Sequence, residues 1–241
     1  MEIVFIRHGK ASFGEDNYDE LSTIGKKQSE KLSDYLIQKY RKSVLICTGS
    51  LIRHKQTMFP YLDKLSMVDE EDFENISFVE TDDLNEFSPD LFEKIVSKLT
   101  VEDKPIQKIY KKYSEINEKN SILKHTYFFK LMERCILEWK NGFTPYGEES
   151  FFDFKERVVH FADYLNSLRG DKKSVLVFTS ATPISILLSY FLKINEENEL
   201  FWIPSLWNSS ISTILKKGRV YYPGEINTIP HLFDKQLRTL I

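Results

Sequence analysis

The chain has 241 residues, of which 41% are hydrophobic and 29% are charged, and its formal net charge is -3. This composition excludes an intrinsically disordered chain and is typical of a globular protein with one large domain or two small ones. It gives no excess of positive charge that would favour nucleic acid or an anionic membrane as a partner.

The first predicted element is a buried strand at the start of the chain. Ile3 to Ile6 are consecutive apolar residues rich in β-branched and aromatic types, a pattern typical of a buried strand. Arg7, His8 and Gly9 follow directly. Because arginine and histidine suit a strand interior poorly, we expect both just past the strand end, where open α/β sheets bind ligands.

Strand–loop–helix patterns recur along the chain and predict an α/β fold with a mostly parallel sheet flanked by helices. The C-terminal part adds a predicted hairpin around Lys217-Gly218. The predicted strands are 3–6, 44–47, 76–79, 174–178, 210–215 and 220–222, and the predicted flanking helices are 23–40, one from Leu51, 151–168 and one from Ile184.

Three further predicted helices interrupt this alternation. They begin at Ser88-Pro89, near Pro105 and near Ser121, and the last ends at about Lys140. No Gly/Pro/Ser-rich linker flanks them. We therefore interpret residues 88–140 as a helical insertion that folds against the sheet within one domain spanning residues 1–241.

Polar side chains follow three of the predicted strands. Arg7 and His8 follow the first, Arg53 lies one turn into the helix after the second, and Ser180 follows the strand at 174–178. A parallel sheet brings such strand ends to one rim. Two guanidinium groups suit a tetrahedral oxyanion, and a neutral histidine beside them can attack phosphorus. A carboxylic acid must then protonate the leaving oxygen.

Several short motifs follow one another through nearly the whole chain. They are Arg7-His8-Gly9, Leu21-Ser22-x-x-Gly25-x-x-Gln28, Thr48-Gly49-Ser50-Leu51-x-Arg53-x-x-Gln56-Thr57, Leu84-Asn85-Glu86, Gly147-Glu148-Glu149-Ser150 with Arg157-Val158, Asn208-Ser209-Ser210-Ile211, and Asn227 with His231-Leu232. The ordered set is far more specific than a lone Arg-His-Gly. It resembles the histidine phosphatase superfamily, which includes the cofactor-dependent phosphoglycerate mutases.

The resemblance implies a three-layer fold like that of phosphoglycerate mutase, with an inserted helical cap. It also implies a metal-independent phosphomonoesterase that forms a phosphohistidine, with no cofactor and with a small phosphorylated substrate. His8 would be the nucleophile, Arg7 and Arg53 would bind phosphate, and Glu86 would donate the proton. The neighbouring carboxylates that remain alternatives to Glu86 are Asp82, Asp83 and Glu93.

The sequence departs from the family at Ser180, which stands where the second catalytic histidine usually lies. A serine can donate one hydrogen bond to a phosphoryl oxygen but cannot carry positive charge, and losing one such donor typically costs ~10²–10³ in rate. We therefore expect a slow phosphatase. The alternative is a pseudo-phosphatase that binds a phosphorylated ligand or a partner protein without turnover. A plain helix N-cap is an equally good interpretation of Ser180.

Two smaller predictions concern the loop after the first strand and the remaining histidines. Gly14 replaces the asparagine that mutases carry, which argues against a mutase. His54 should point away from the site, because it follows Arg53 on a helix. His160 and His231 are expected to be structural, while His125, in the insertion, is the histidine with some chance of reaching the site.

Cysteine usage and the first residues indicate the compartment. Cys47 and Cys135 are far apart and form no Cys-x-x-Cys pattern, so we expect two buried thiols rather than a disulfide. Glu2 and Arg7 interrupt the first apolar run, which argues against a signal peptide, and the longest later apolar run is far shorter than the ~20 residues of a membrane span. We expect a cytoplasmic protein without nucleic-acid or membrane partners, and a homodimer remains open.

Overall fold

The computed structural model contains a six-stranded mixed sheet in the order β3-β2-β4-β1-β5-β6. It describes residues 1–12, 19–42, 44–68, 73–74, 76–116, 121–168 and 174–240. Strands β1 to β4 are parallel, and the C-terminal hairpin of β5 and β6 adds antiparallel strands at one edge. The strands are β1 (Glu2–Arg7), β2 (Val44–Thr48), β3 (Ser77–Glu80), β4 (Ser174–Thr179), β5 (Ile211–Lys217) and β6 (Val220–Pro223).

Seven α-helices complete the described part of the chain, and the predicted α/β fold class is confirmed. Ser88 caps the first helix of the insertion as its sequence indicated, since its hydroxyl oxygen accepts a hydrogen bond from Leu91 N–H at 3.0 Å. The helices are α1 (Thr23–Lys39), α2 (Ile52–Val68), α3 (Pro89–Glu102), α4 (Lys104–Glu115), α5 (Ser121–Lys140), α6 (Phe151–Ser167) and α7 (Ala181–Leu192).

One face of the sheet packs against α1 and α2. Successive residues of a strand point to opposite faces, so Val4, Ile46 and Leu176 lie on the same side of three neighbouring strands. They form one buried cluster with Leu36 of α1 and Met58 of α2. Burial of these apolar side chains, worth about 25 cal/mol per Å² of area, holds both helices on this face.

The opposite face packs against α6 and α7. Phe5 is fully buried there, and its ring stacks on that of Phe191 in α7 with centroids 6.2 Å apart. Cys47 is close enough to Tyr164 of α6 to add to the effect of burial in raising the pKa of that phenol. Helices thus cover both faces of the sheet, as the predicted three-layer arrangement requires.

The chain divides into two compact units, Met1–Glu86 with Arg157–Ile241, and Phe87–Glu156. The first contains the sheet. The second contains the three predicted helices of the insertion, and it extends past the predicted boundary at 140. One domain with the insertion folded against the sheet stays a prediction.

An aromatic cluster forms the core of the helical unit around Trp139, which is buried. Its ring packs edge-on against Phe87, Phe151 and Phe154 at centroid distances of 5.3, 5.2 and 5.1 Å. The indole N–H donates to the Glu149 carbonyl at 2.9 Å, which satisfies the polar end of the buried ring.

Strand β1 extends one residue further than the sequence indicated. Arg7 was expected past the end of the strand, but it is the last residue of β1, where it pairs with Thr179 of β4. Its main-chain N–H also donates to the Ser210 carbonyl at 3.1 Å. The prediction was wrong for Arg7 because β4 on one side and Ser210 on the other satisfy its main chain, whereas His8 does lie beyond the strand.

The loop after β1 packs closely against the first turn of α1. A Cβ at Gly25 would lie 2.1 Å from the Lys10 carbonyl oxygen, and a Cβ at Gly9 would lie 2.7 Å from the Gly25 carbonyl oxygen. Ser22 caps α1 by accepting a hydrogen bond from Gly25 N–H at 3.1 Å. Gly9 and Gly25 therefore allow the main chain that follows His8 to pack directly against the main chain of the first turn of α1.

We predict that Gly25→Ala lowers the free energy of unfolding by about 1–3 kcal/mol, because the new methyl group overlaps a main-chain carbonyl that cannot rotate away. An alanine in place of glycine inside a helix normally stabilises by about 0.5–1 kcal/mol, so the sign is diagnostic. Urea denaturation measures the change. Lys27→Ala, on the exposed side of α1, is the control, and stabilisation by Gly25→Ala would contradict the packing.

Candidate active site

His8 follows β1 directly, and its imidazole is almost fully buried. Its main-chain N–H donates to the Thr179 carbonyl at 2.9 Å, so β4 fixes its position. Its Nδ1 atom lies 2.7 Å from the Gly9 carbonyl oxygen. Because a carbonyl oxygen only accepts, Nδ1 carries the proton and Nε2 keeps its lone pair. The ring is therefore set to use Nε2 as a nucleophile.

Positive charges surround this imidazole. The pKa of His8 lies well below its ordinary value because the ring is buried and, secondarily, because Arg53, Arg7 and His54 are close. The hydrogen bond to Gly9 opposes this effect only in part. His8 is consequently neutral at pH 7, which is the form that can attack an electrophile.

Arg53 lies in the first turn of α2 with its side chain buried. Its Nη1 donates to Asp19 Oδ1 at 2.7 Å, and Asp19 Oδ2 accepts from Ile52 N–H at 2.7 Å. The carboxylate thus balances the buried guanidinium and also binds the N-terminus of α2. Asp19 was not among the predicted site residues, although it precedes the Leu21-Ser22 motif.

Arg7 is anchored by distant parts of the chain. Its Nη1 donates to the carbonyl oxygens of Leu206 and Leu240, the latter at 2.8 Å. These contacts orient the guanidinium at the end of β1. Together with its effect on His8, this places both predicted phosphate-binding arginines beside the same imidazole.

Glu86 lies at the N-terminus of α7. Its Oε2 accepts a hydrogen bond from Thr182 N–H at 3.1 Å, one of the main-chain donors that a helix leaves unpaired in its first turn. Thr179 Oγ1 donates to the Leu84 carbonyl at 2.5 Å, which ties the Leu84-Asn85-Glu86 segment to the end of β4. The structure therefore brings Glu86 to the rim where β4 ends.

Arg157 holds the turn that carries Glu86. Its Nη1 donates to the carbonyl oxygens of Asp82, Asp83 and Asn85 at 2.9, 3.2 and 2.9 Å. This is the arginine of the motif that follows Gly147, and its contacts give it a positioning role. No sequence signal showed which segment it would bind.

Ser180 is fully buried, and it occupies the N-cap position of α7 without capping the helix through its side chain. Its Oγ lies 2.7 Å from His54 Nε2. The ring of His54 is also buried, with its centroid 5.7 Å from that of His8. The prediction that His54 points away was wrong. The first turn of α2 is close enough to the ends of β1 and β4 for two adjacent residues to contact the site.

His160 and His231 have their hydrogen-bond partners outside this group. The largely exposed His160 has its Nδ1 2.8 Å from Asp83 Oδ2. His231 is buried with its Nε2 3.0 Å from Ser209 Oγ, and burial lowers its pKa to about 4. The side chain of His125 and the whole of Gly14 lie outside the described residues.

Two residues of the sequence motifs that begin at Leu21 and Thr48 hold the loop after β1 in place. Gln28 accepts from Lys10 N–H at 2.7 Å and donates to the Leu237 carbonyl at 2.7 Å. Thr57 Oγ1 accepts from Gly9 N–H at 3.0 Å. These side chains replace the sheet as hydrogen-bond partners once the chain has left β1.

Within the described ranges, no helix is both long and apolar enough to cross a membrane. The same part of the chain contains no cluster of three or more histidine, cysteine or acidic side chains placed to bind a metal ion. Cys47 and Cys135 are both free and buried, as predicted.

Residues 129–221 match the family model described as histidine phosphatase superfamily (branch 1), which confirms the resemblance seen in the sequence over that part of the chain. His8, Arg53 and Glu86 precede the matched segment, which contains Arg157 and Ser180. A comparison with curated protein sequences gives no match.

Solved structures share the fold over almost their whole length. An Escherichia coli protein provisionally named an alpha-ribazole-5'-P phosphatase has 18% identity and a TM-score of 0.63, and the alignment covers 95% of this chain and 98% of that one. The alpha-ribazole phosphatase from Shigella flexneri has 16% identity, coverages of 95% and 97%, and a TM-score of 0.60. A mycobacterial glucosyl-3-phosphoglycerate phosphatase has 16% identity, coverages of 94% and 98%, and a TM-score of 0.58.

We predict that acid destabilises the protein partly through its neutral, buried histidines. The unfolded chain binds protons on these residues below their ordinary pKa of 6.5, while native His8 and His54 stay neutral. The free energy of unfolding is therefore unaffected by protonation of these two histidines above pH 6.5. Below pH 6.5 it falls by up to about 1.4 kcal/mol per pH unit for each of them. Urea denaturation from pH 7 to 5 should show a shallower decline in His8→Asn than in the wild type. Equal slopes would contradict the prediction.

Proposed function

We propose that this protein is a metal-independent phosphomonoesterase that forms a phosphohistidine on His8. The observation that carries the proposal is the neutral, buried imidazole of His8, with its Nε2 lone pair free of the Gly9 bond and with Arg53 and Arg7 close to the ring. The phosphatase activities named for structures of the same fold support it. A small phosphorylated molecule is the substrate class, and the cytoplasm is the proposed location.

In the first step, the Nε2 lone pair of His8 attacks phosphorus, and the bond from phosphorus to the leaving oxygen breaks. Glu86, in its protonated form, gives that oxygen a proton, so an alcohol leaves. Arg7 and Arg53 bind the phosphoryl oxygens, since guanidinium groups pair with them in forked geometry. The Nδ1–H···O=C bond to Gly9 stabilises the positive charge that the ring acquires.

In the second step, water attacks the phosphorus atom of the phosphohistidine. The Glu86 carboxylate accepts a proton from that water, and the P–N bond breaks. His8 regains its lone pair and inorganic phosphate leaves. Glu86 thus acts as acid in the first step and as base in the second.

Ser180 is the reason to propose a slow enzyme. It offers a hydroxyl where the family usually has a second histidine. The hydroxyl can stabilise the transition state with one hydrogen bond from a neutral donor, but it supplies no positive charge. The alternative of a pseudo-phosphatase differs in a measurable way: it binds vanadate or phosphate and shows neither turnover nor a phosphorylated histidine.

We predict that His8→Ala lowers kcat for p-nitrophenyl phosphate by at least ~10³-fold, because it removes the nucleophile. Wild type quenched with alkali should retain phosphate that acid then releases, as expected for a phosphohistidine, and His8→Ala should retain none. Vanadate should inhibit the wild type. The exposed variant Lys27→Ala is the activity control, and circular dichroism verifies the fold. Unchanged hydrolysis in His8→Ala would refute the mechanism.

We predict that Glu86→Gln affects substrates according to their leaving group. An alkyl phosphate needs a proton on the leaving oxygen, so kcat should fall by ~10²-fold or more. For p-nitrophenyl phosphate, whose leaving group needs little protonation, the fall in the first step should be much smaller, and pre-steady-state kinetics isolates that step. Glu93→Gln is the matched control. Equal losses in the first step for both substrates, or a loss that follows Glu93 instead, would show that Glu86 is not the acid.

A further inference from the structure

We propose that His54 and Ser180 form a two-residue hydrogen-bond donor for a phosphoryl oxygen. His54 Nε2–H donates to Ser180 Oγ, and the hydroxyl proton of Ser180 is thereby directed to the phosphoryl group. His54 is then a positioning residue that acts through Ser180. The inference rests on the phosphatase function proposed above, which it deepens.

The hydroxyl of Ser180 is not used by the helix that it begins. A serine at an N-cap normally accepts from a main-chain N–H of the first turn, but the side chain of Ser180 makes no such bond. Glu86 accepts the hydrogen bond of Thr182 N–H instead. Ser180 Oγ contacts His54 Nε2 at 2.7 Å, so its role lies at the site rather than in the helix.

The chain makes room for the His54 ring. A Cβ at Gly49 would lie 2.3 Å from His54 Nδ1 and 2.7 Å from Asn85 Oδ1. Any side chain at position 49 would therefore displace one of these groups. The absence of a side chain at Gly49 thus gives His54 and Asn85 the space they occupy next to each other.

The tautomer of His54 follows from its neighbours. Asn85 Nδ2 donates to the Asp82 carboxylate at 2.9 Å, and a carboxylate accepts only, so the amide turns Oδ1 to the Gly49 side. Among the described residues, neither Asn85 Oδ1 nor His54 Nδ1 has a hydrogen-bond partner. If Nδ1 carried a proton, a buried donor and a buried acceptor would lie near each other unused, which is costly. If the proton is on Nε2 instead, His54 Nδ1 and Asn85 Oδ1 are both acceptors, which explains why they form no hydrogen bond with each other.

A neutral imidazole carries a single N–H group. Burial and the neighbouring Arg53 lower the pKa of His54 well below its ordinary value, so the ring is neutral and its one N–H is on Nε2. Ser180 Oγ accepts that hydrogen bond, which leaves the hydroxyl proton for another acceptor. With the ring of His54 5.7 Å from that of His8, that acceptor is a phosphoryl oxygen bound at His8.

Kinetics of four variants test the coupling. Ser180→Ala and His54→Leu should each lower kcat for p-nitrophenyl phosphate by about 10²-fold, the usual effect of one lost transition-state donor. The double variant should lose no more than Ser180→Ala alone, because His54 acts only through the serine. His54→Gln, whose amide can also donate, should recover part of the loss. Losses that multiply in the double variant, with no recovery by glutamine, would overturn the proposal.

A histidine exchange between the two positions tests the geometry. Ser180→His alone should gain nothing, because the new ring would collide with His54 across a 2.7 Å contact. Ser180→His combined with His54→Ala gives the new ring space and should exceed Ser180→Ala by at least 10-fold in kcat. If kcat of Ser180→His alone rose as much as kcat of the double variant, the claim that His54 occupies the space needed by the new ring would be contradicted.

The third measurement does not depend on turnover. Nitrogen-15 NMR of the wild type with inorganic phosphate should show a proton on His54 Nε2 and none on Nδ1. A proton on Nδ1 would overturn the inference even if the protein is an active phosphatase. Absence of hydrolysis together with the expected tautomer would instead reject the proposed function and retain the donor pair.

Discussion

The parallel pairing of β1 with β4 sets the positions of His8 and Ser180, around which the other groups of the site are arranged. Arg7 is opposite Thr179 in the register, and His8 N–H continues the pattern by donating to the Thr179 carbonyl. His8 and Ser180 therefore leave the sheet side by side. A shift of one residue would turn each side chain to the other face, so the register of these two strands decides where both residues point.

The site is a buried group of cations and neutral imidazoles at the ends of these strands. Burial and, secondarily, Arg53 and Arg7 lower the pKa of His8, and Asp19 balances part of the charge through its 2.7 Å contact with Arg53. Positive charge held in a poorly solvated place attracts an anion more strongly than the same charge in water. The arrangement that keeps His8 unprotonated is thus also one that favours an anion next to it.

Residues next to one another in the sequence were easier to predict than residues that meet through folding. The strand before His8, the cap at Ser88 and the C-terminal hairpin follow from local patterns. The end of β1 was misjudged by one residue because Ser210, far along the chain, supplies a hydrogen-bond acceptor for Arg7. His54 was misjudged because its direction depends on how α2 lies against β4, and no spacing in the sequence encodes that.

By itself, the sequence determined the α/β class, the order of the motifs and the types of group available for chemistry, because periodicity and turn residues act over short distances. Only the tertiary structure decided the partnerships: Glu86 with the N-terminus of α7, Asp19 with Arg53, and Ser180 with His54. Each of these contacts joins segments that different strands bring to one rim. The physical reason is that hydrogen bonds of about 2.7–3.2 Å depend on strand register and helix placement, which the packing of the whole core sets.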